Sequence, residues 1–232
     1  MARPTKSPSR AAKKPRREPL SRERALRTAM ALADAHGLEE LSMRRLADEL
    51  GVEAMSLYHH VPNKSAILDG MVDLVFEEIE LPRVELGWKT ALRRRSESVR
   101  EALLRHRWAL RVLESRKAPG LATLTHHDAV LGCLRGAGFS LGLSAHAYAV
   151  IDAYVFGFVH TELTLPFQTP EETREVVGGM FEPLPEGAFP HLVELATKHV
   201  LAPGYAFANE FPFGLELVLD GLERALAAER AA

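Results

Sequence analysis

Residues 41–69 read LSMRRLADELGVEAMSLYHHVPNKSAILD, and the spacing in this stretch decides the fold. Ser42 is a good N-cap for a short helix with Leu46, Ala47 and Leu50 on one face, and Gly51 supplies the left-handed turn that ends it. Ala47 is small where two helices must cross, while Leu46, Leu50, Val52 and Leu57 fill the wedge between them. The next helix is predicted over about 54–61, burying Leu57 and Val61 and leaving Ser56, Tyr58, His59 and His60 exposed. These are the offsets of a helix-turn-helix. The exposed face is short of acids and ends at Lys64, where an ammonium beside free backbone N–H groups suits a phosphate.

Upstream, Ser21 caps a predicted helix in which Ala25, Leu26, Ala29, Leu32 and Ala33 recur at helical spacing until Gly37. Downstream, Asn63 caps a long helix with Ile67, Leu68, Met71, Val72, Val75 and Ile79 inward, stopped by Pro82. No strand-like alternation follows. Further helices are expected near 88–106, 108–116, 122–136, 143–164, 190–201 and 211–229. Residues 166–190, with Pro166, Pro170, Pro183, Pro185 and Pro190, read as a long loop, and Ala202 to Glu210 as a second. The chain is therefore expected to be all-α. Residues 1–19 would be a disordered basic arm, 20–80 a three-helix domain with the helix-turn-helix, and 81–232 a larger helical domain.

Charge is distributed to match. The 232 residues sum to −2, but residues 1–17 hold seven basic side chains and no acid, leaving the remainder at −9. A basic arm on an acidic body fits contact with a polyanion at one end only. Cys133 has no second cysteine to pair with, as suits a reducing compartment. No apolar run follows the N-terminal charges, so no secretory signal is expected, and Asp152, His160 and Glu162 interrupt the longest apolar region. A cytoplasmic location with no membrane partner is the expectation.

The stretch 41–69 resembles the DNA-binding domain of the TetR family, and is nearest its tetracycline-repressor-like subgroup. Residues 213–226, FGLELVLDGLERAL, and Gly138-Phe139-Ser140 carry the likeness into the C-terminal half. The resemblance implies that Arg44 meets a base edge or phosphate, that Ser56, Tyr58 and His60 lie in the major groove of a double-stranded operator, and that Ser42 and Lys64 hold the backbone. Arg45 and His59 border the same surface. Arginine pairs bidentately with guanine and aromatic edges meet thymine methyls, so these residue types fit the roles. Ala54, Met55 and His59 depart from the tetracycline repressor, which implies another operator sequence.

In the body, Ala145, Ala149, Ala153 and Gly157 make a smooth stripe at four-residue spacing, and Gly214, Leu217, Val218 and Gly221 suit close approach on the last helix. The family's four-helix interface between two copies assigns both to a homodimer. An effector pocket is expected from Trp108, His126, His127, Tyr148, Asp152, Phe156 and His160, a few polar groups among apolar walls. The positions of the tetracycline repressor's drug- and metal-contacting histidines fall at Glu80 and Leu113, so the effector is expected to be a different, hydrophobic small molecule, with no metal and no cofactor. A helical metalloenzyme using His126, His127, Asp152, His160 and Glu162 is the competing reading. No HExxH or Glu-x-x-His pair supports it.

Overall fold

In a computed structural model the chain is described over residues 19–116, 118–167, 169–181, 185 and 187–231; the expected basic arm falls almost wholly outside these. Ser21 accepts the Arg24 N–H at 3.1 Å and opens α1 (Arg22–His36). Ser42 accepts the Arg45 N–H at 3.2 Å and opens α2 (Met43–Leu50), which Gly51 closes at φ 67°, ψ 40°. Each cap satisfies a donor that the helix itself leaves orphaned, and only glycine takes the left-handed turn without strain.

Next comes α3 (Ala54–Tyr58), one turn shorter than its spacing suggests. Val61 precedes Pro62, whose ring disfavours helical backbone at the residue before it, so the N–H groups of His60 and Val61 fold back onto the Leu57 carbonyl at 2.9 and 3.0 Å. Val61 is buried all the same. Asn63 then accepts the Ala66 N–H at 2.8 Å to start α4 (Lys64–Glu77).

The first four helices share one apolar interior: Leu26, Leu46, Leu57, Ile67, Met71 and Val75 are all buried. α1 and α4 approach closely at Gly70, where an added Cβ would lie 2.7 Å from a Leu26 methyl. Gly70→Ala is therefore expected to cost about 1–3 kcal/mol through overpacking. Thermal melting checks this, and an unchanged midpoint would show that Leu26 simply turns aside.

A single 3₁₀ turn (Val84–Leu86) leads to α5 (Trp88–Arg105), α6 (Ala109–Ser115), α7 (Leu121–Gly136) and α8 (Leu141–Thr164). Then follow α9 (Pro170–Phe181), α10 (Pro190–Leu195) with a π turn at Ala196–Val200, and α11 (Glu210–Ala231). Every regular element among the described residues is helical, and the expected helices stand within a few residues of their places. The exception is α9, which occupies a segment expected to be loop. Thr169 and Glu172 start it as a reciprocal capping box: the Glu172 N–H reaches Thr169 Oγ1 at 3.2 Å and the Thr169 N–H reaches Glu172 Oε2 at 3.0 Å. Pro170 sits at the first helical position, where its missing N–H costs nothing.

α8 is the axis of the body, packed against α5, α7 and α11. Ala147, Ile151, Val155 and Val159 bury one side of it at four-residue spacing. It has the length and apolarity to cross a membrane, but two acids tie it laterally to α5. Asp152 pairs with Arg95 at 2.6 Å, and Glu162 pairs with Arg100, whose guanidinium lies 5.2 Å over the Phe211 ring of α11. Those pairings are what a core helix of a bundle needs.

Candidate DNA-reading face and effector site

α3 is held from behind by Leu57 and Val61, both fully buried, and turns Met55, Ser56 and Tyr58 outward, with His59 and His60 beyond its end. Nothing among the described residues engages the side chains of Arg44, Ser56, Tyr58, His59 or His60. Arg44 lies on the exposed side of α2. The other expected contacts are partly committed. Ser42 caps α2, Arg45 is ion-paired with Glu40, and the Lys64 ammonium donates to the Leu38 carbonyl at 3.3 Å. Ser42 and Lys64 thus fix the local frame.

A band of polar contacts, unforeseen in the sequence, joins this unit to the body. Asp34 of α1 accepts from Trp108 Nε1 at 2.6 Å and faces His106 Nδ1 at 2.9 Å, while His106 Nε2 lies 3.2 Å from Glu78. Arg105 pairs with the same Glu78. Arg116 lies 3.4 Å from Asp69 and 3.2 Å from Asp73, both on α4, and Thr123 of α7 donates to Asp73 at 3.3 Å. Trp108, expected in the pocket, belongs here instead. It follows the end of α5 and its indole N–H finds its acceptor on α1, so tertiary placement, which the sequence leaves silent, decides its role.

Deeper in the body, four of the expected pocket residues gather around Arg95. Its guanidinium pairs with Asp152; burial first, and then the Asp152 charge, push the Tyr148 phenol well above its ordinary range. The His127 ring stands edge-on to Tyr148 with centroids 5.3 Å apart, and the His126 ring is edge-on to Phe76 of α4 at 5.6 Å. Phe156 is half-buried on α8. His160 is exposed and joins no cluster, because it falls on the outer side of α8, away from the buried Val155 and Val159. Glu80, at the position where the tetracycline repressors would carry a histidine, is ion-paired with Arg83 and Arg94 at 3.1 and 3.4 Å. Leu113 is half-buried against the core.

Burial, and after it the Arg95 charge, holds the His126 imidazole below its ordinary value; burial does the same to His127. Both therefore fold neutral. The unfolded chain regains the ordinary value of about 6.5 and takes up protons first, so stability is complete above that pH and falls as pH drops below it. The melting temperature should decline from pH 7.5 to 5.5, and less steeply in His126→Gln. An equal slope in the variant would remove His126 as the cause.

Ala145, Ala149, Ala153 and Gly157 are all exposed along one side of α8. On the neighbouring α11, Phe213 is 66% and Leu217 57% exposed, while Val218 and Gly221 are partly so. This is an uncovered apolar face within one chain. At Gly214 a Cβ would lie 2.3 Å from the Tyr154 hydroxyl and 2.7 Å from its ring, so its smallness also serves packing within the chain. Tyr154 is fixed there by donating to the Phe211 carbonyl at 2.8 Å.

Residues 25–71 match the family model for bacterial regulatory proteins of the tetR family, and residues 81–226 match the tetracyclin repressor-like C-terminal domain. The chain belongs to the TetR family of transcriptional regulators. Over 91% of its length it is 34% identical to the HTH-type transcriptional repressor DrrR1 of Streptomyces coeruleorubidus, covering 80% of that protein. It is 33% identical to the class C tetracycline repressor of Escherichia coli, over 88% of this chain and 91% of that one. Among solved structures, apo ActR from Streptomyces coelicolor superposes with TM-score 0.76 at 30% identity, covering 93% of this chain and 99% of ActR. ActR in complex with actinorhodin superposes at 0.73, with 30% identity, covering 90% and 99%.

Proposed function

We propose that the chain is a cytoplasmic homodimer that represses transcription by binding a palindromic operator and is released when a small effector enters its body. In this reading residues 20–80 form the DNA-reading unit and 81–232 the effector and dimer unit. The observation that carries it is the free face of Arg44, Ser56, Tyr58, His59 and His60, mounted on a buried Leu57 and Val61 and joined through α4 to the body. ActR, similar in fold and sequence, is known with a bound small molecule, which supports the effector role.

Two copies would place their α3 helices about one helical turn of DNA apart, in successive major grooves. The effector need only prefer the non-binding spacing. A differential affinity of a few kcal/mol suffices, because ligands shift equilibria only by what distinguishes the two states. Asp34, Glu78, Asp73 and Arg116 give the connection between body and reading unit a definite geometry, so that a shift of α7 or α6 reaches α4.

Fluorescence anisotropy with DNA from upstream of the coding sequence, at about 0.15 M salt, tests the reading. Equal affinity for random duplex would overturn it. Leu217→Glu should give a folded monomer by light scattering, with operator affinity lost alongside the dimer. A dimer retained by that variant would move the interface elsewhere.

A further inference from the structure

We infer that the buried cluster around Arg95 is a carboxylate-binding subsite, and that the effector is an aromatic acid whose carboxylate takes the unpartnered edge of the Arg95 guanidinium. The inference rests on the reading of the body as an effector site and names the ligand class.

Arg95 is 1% exposed, and it makes a single charged hydrogen bond, from Nη1 to Asp152 at 2.6 Å. Its Nε and Nη2 are buried and have no partner among the described residues. These two nitrogens form one edge of the planar fork, and their N–H bonds run parallel. Two parallel donors match the two oxygens of one carboxylate, whereas a lone carbonyl would satisfy only one of them well. A purely structural ion pair would gain most by offering Asp152 that bidentate edge. Here Asp152 takes the other nitrogen, leaving the bidentate edge without an acceptor among the described residues.

The surroundings fit the rest of such a molecule. Phe76 and Tyr148 place aromatic rings beside the two histidines, and His126 Nδ1 is a further buried polar atom without a partner among the described residues. An occupant displacing the His126 ring presses on Phe76, and Phe76 belongs to α4, the helix that carries the reading unit. The same contact therefore links occupancy to DNA release.

Calorimetric titration of the full chain with 2-naphthoate and with 2-naphthamide, at pH 7.5, tests the proposal. The acid should bind at least about ten-fold tighter than the amide, which offers the same rings without the charge. Arg95→Lys keeps the charge beside Asp152 but lacks the paired edge, and should lose that preference. The double variant Arg95→Met/Asp152→Leu removes both charges together, so it leaves no lone buried ion. It should melt cooperatively and bind acid and amide alike. Equal binding of the two probes by the natural chain, absence of naphthoate binding, or an acid preference surviving in both variants would overturn the inference. Anisotropy on operator DNA with the same preparations separates the two readings. Operator binding without acid preference sinks only the carboxylate site; absence of operator binding sinks the regulator reading beneath it.

Discussion

Arg44→Ala and Tyr58→Ala should each lower affinity for the specific operator by about 5- to 150-fold, corresponding to ~1–3 kcal/mol per lost base contact. Melting temperature should stay near the natural chain's value in both, because both side chains are exposed and neither holds a hydrogen bond or ion pair to another described residue. The discriminating control is Leu57→Ala. That side chain is fully buried behind the same face, and its loss should cost about 2–5 kcal/mol of stability and weaken all DNA binding together. Lys64→Ala should behave in a third way, weakening specific and random duplex alike and reducing the salt dependence by about one phosphate's worth. If Arg44→Ala and Tyr58→Ala both keep operator affinity, the reading face lies elsewhere on the chain.

The parts of this molecule that were legible in its sequence are those governed by local rules. Ser21, Ser42 and Asn63 each cap the helix expected of them, and Gly51 takes the left-handed turn, because a cap or a turn needs only a few adjacent residues. Thr169-Pro170-Glu171-Glu172 obeys the same local chemistry and marks α9. The prolines around it suggested a loop, yet a proline at the first helical position starts a helix as readily as another ends one. What stayed hidden depends on which helices meet. Trp108 looked like a pocket wall until Asp34, 74 residues earlier, proved to be its acceptor. Gly214 is also needed within the chain, where Tyr154 fills the space beside it. Arg95 carries no mark in the sequence, being one of three consecutive arginines on α5, and only burial separates it from Arg93 and Arg94. A signal existed in Asp152: an acid in the middle of an apolar helix requires a partner, and Arg95 is that partner.

Asp152→Ala should be the most destabilising single change in the body, because it strands the Arg95 charge in a site with almost no access to water. Removing one member of a buried pair costs about 3–5 kcal/mol, and for a chain of this length each kcal/mol lowers the melting temperature by about 2–4 °C. The expected fall is therefore about 6–20 °C, read at one fixed protein concentration so that association does not confound it. Arg27–Glu23 on α1 provides the scale at the other extreme: its side chains are 66% and 70% exposed, and Glu23→Ala should change stability by less than about 1 kcal/mol. Glu162→Ala should fall between, since Arg100 keeps its contact over Phe211 and is nearer to solvent than Arg95. The double variant Arg95→Met/Asp152→Leu should recover most of the loss, because no charge is then left unpaired. Recovery would mean that the natural pair is retained for something other than stability. A wild-type melting temperature for Asp152→Ala would instead mean that Arg95 finds other partners, and the carboxylate site would lose its foundation along with the pair.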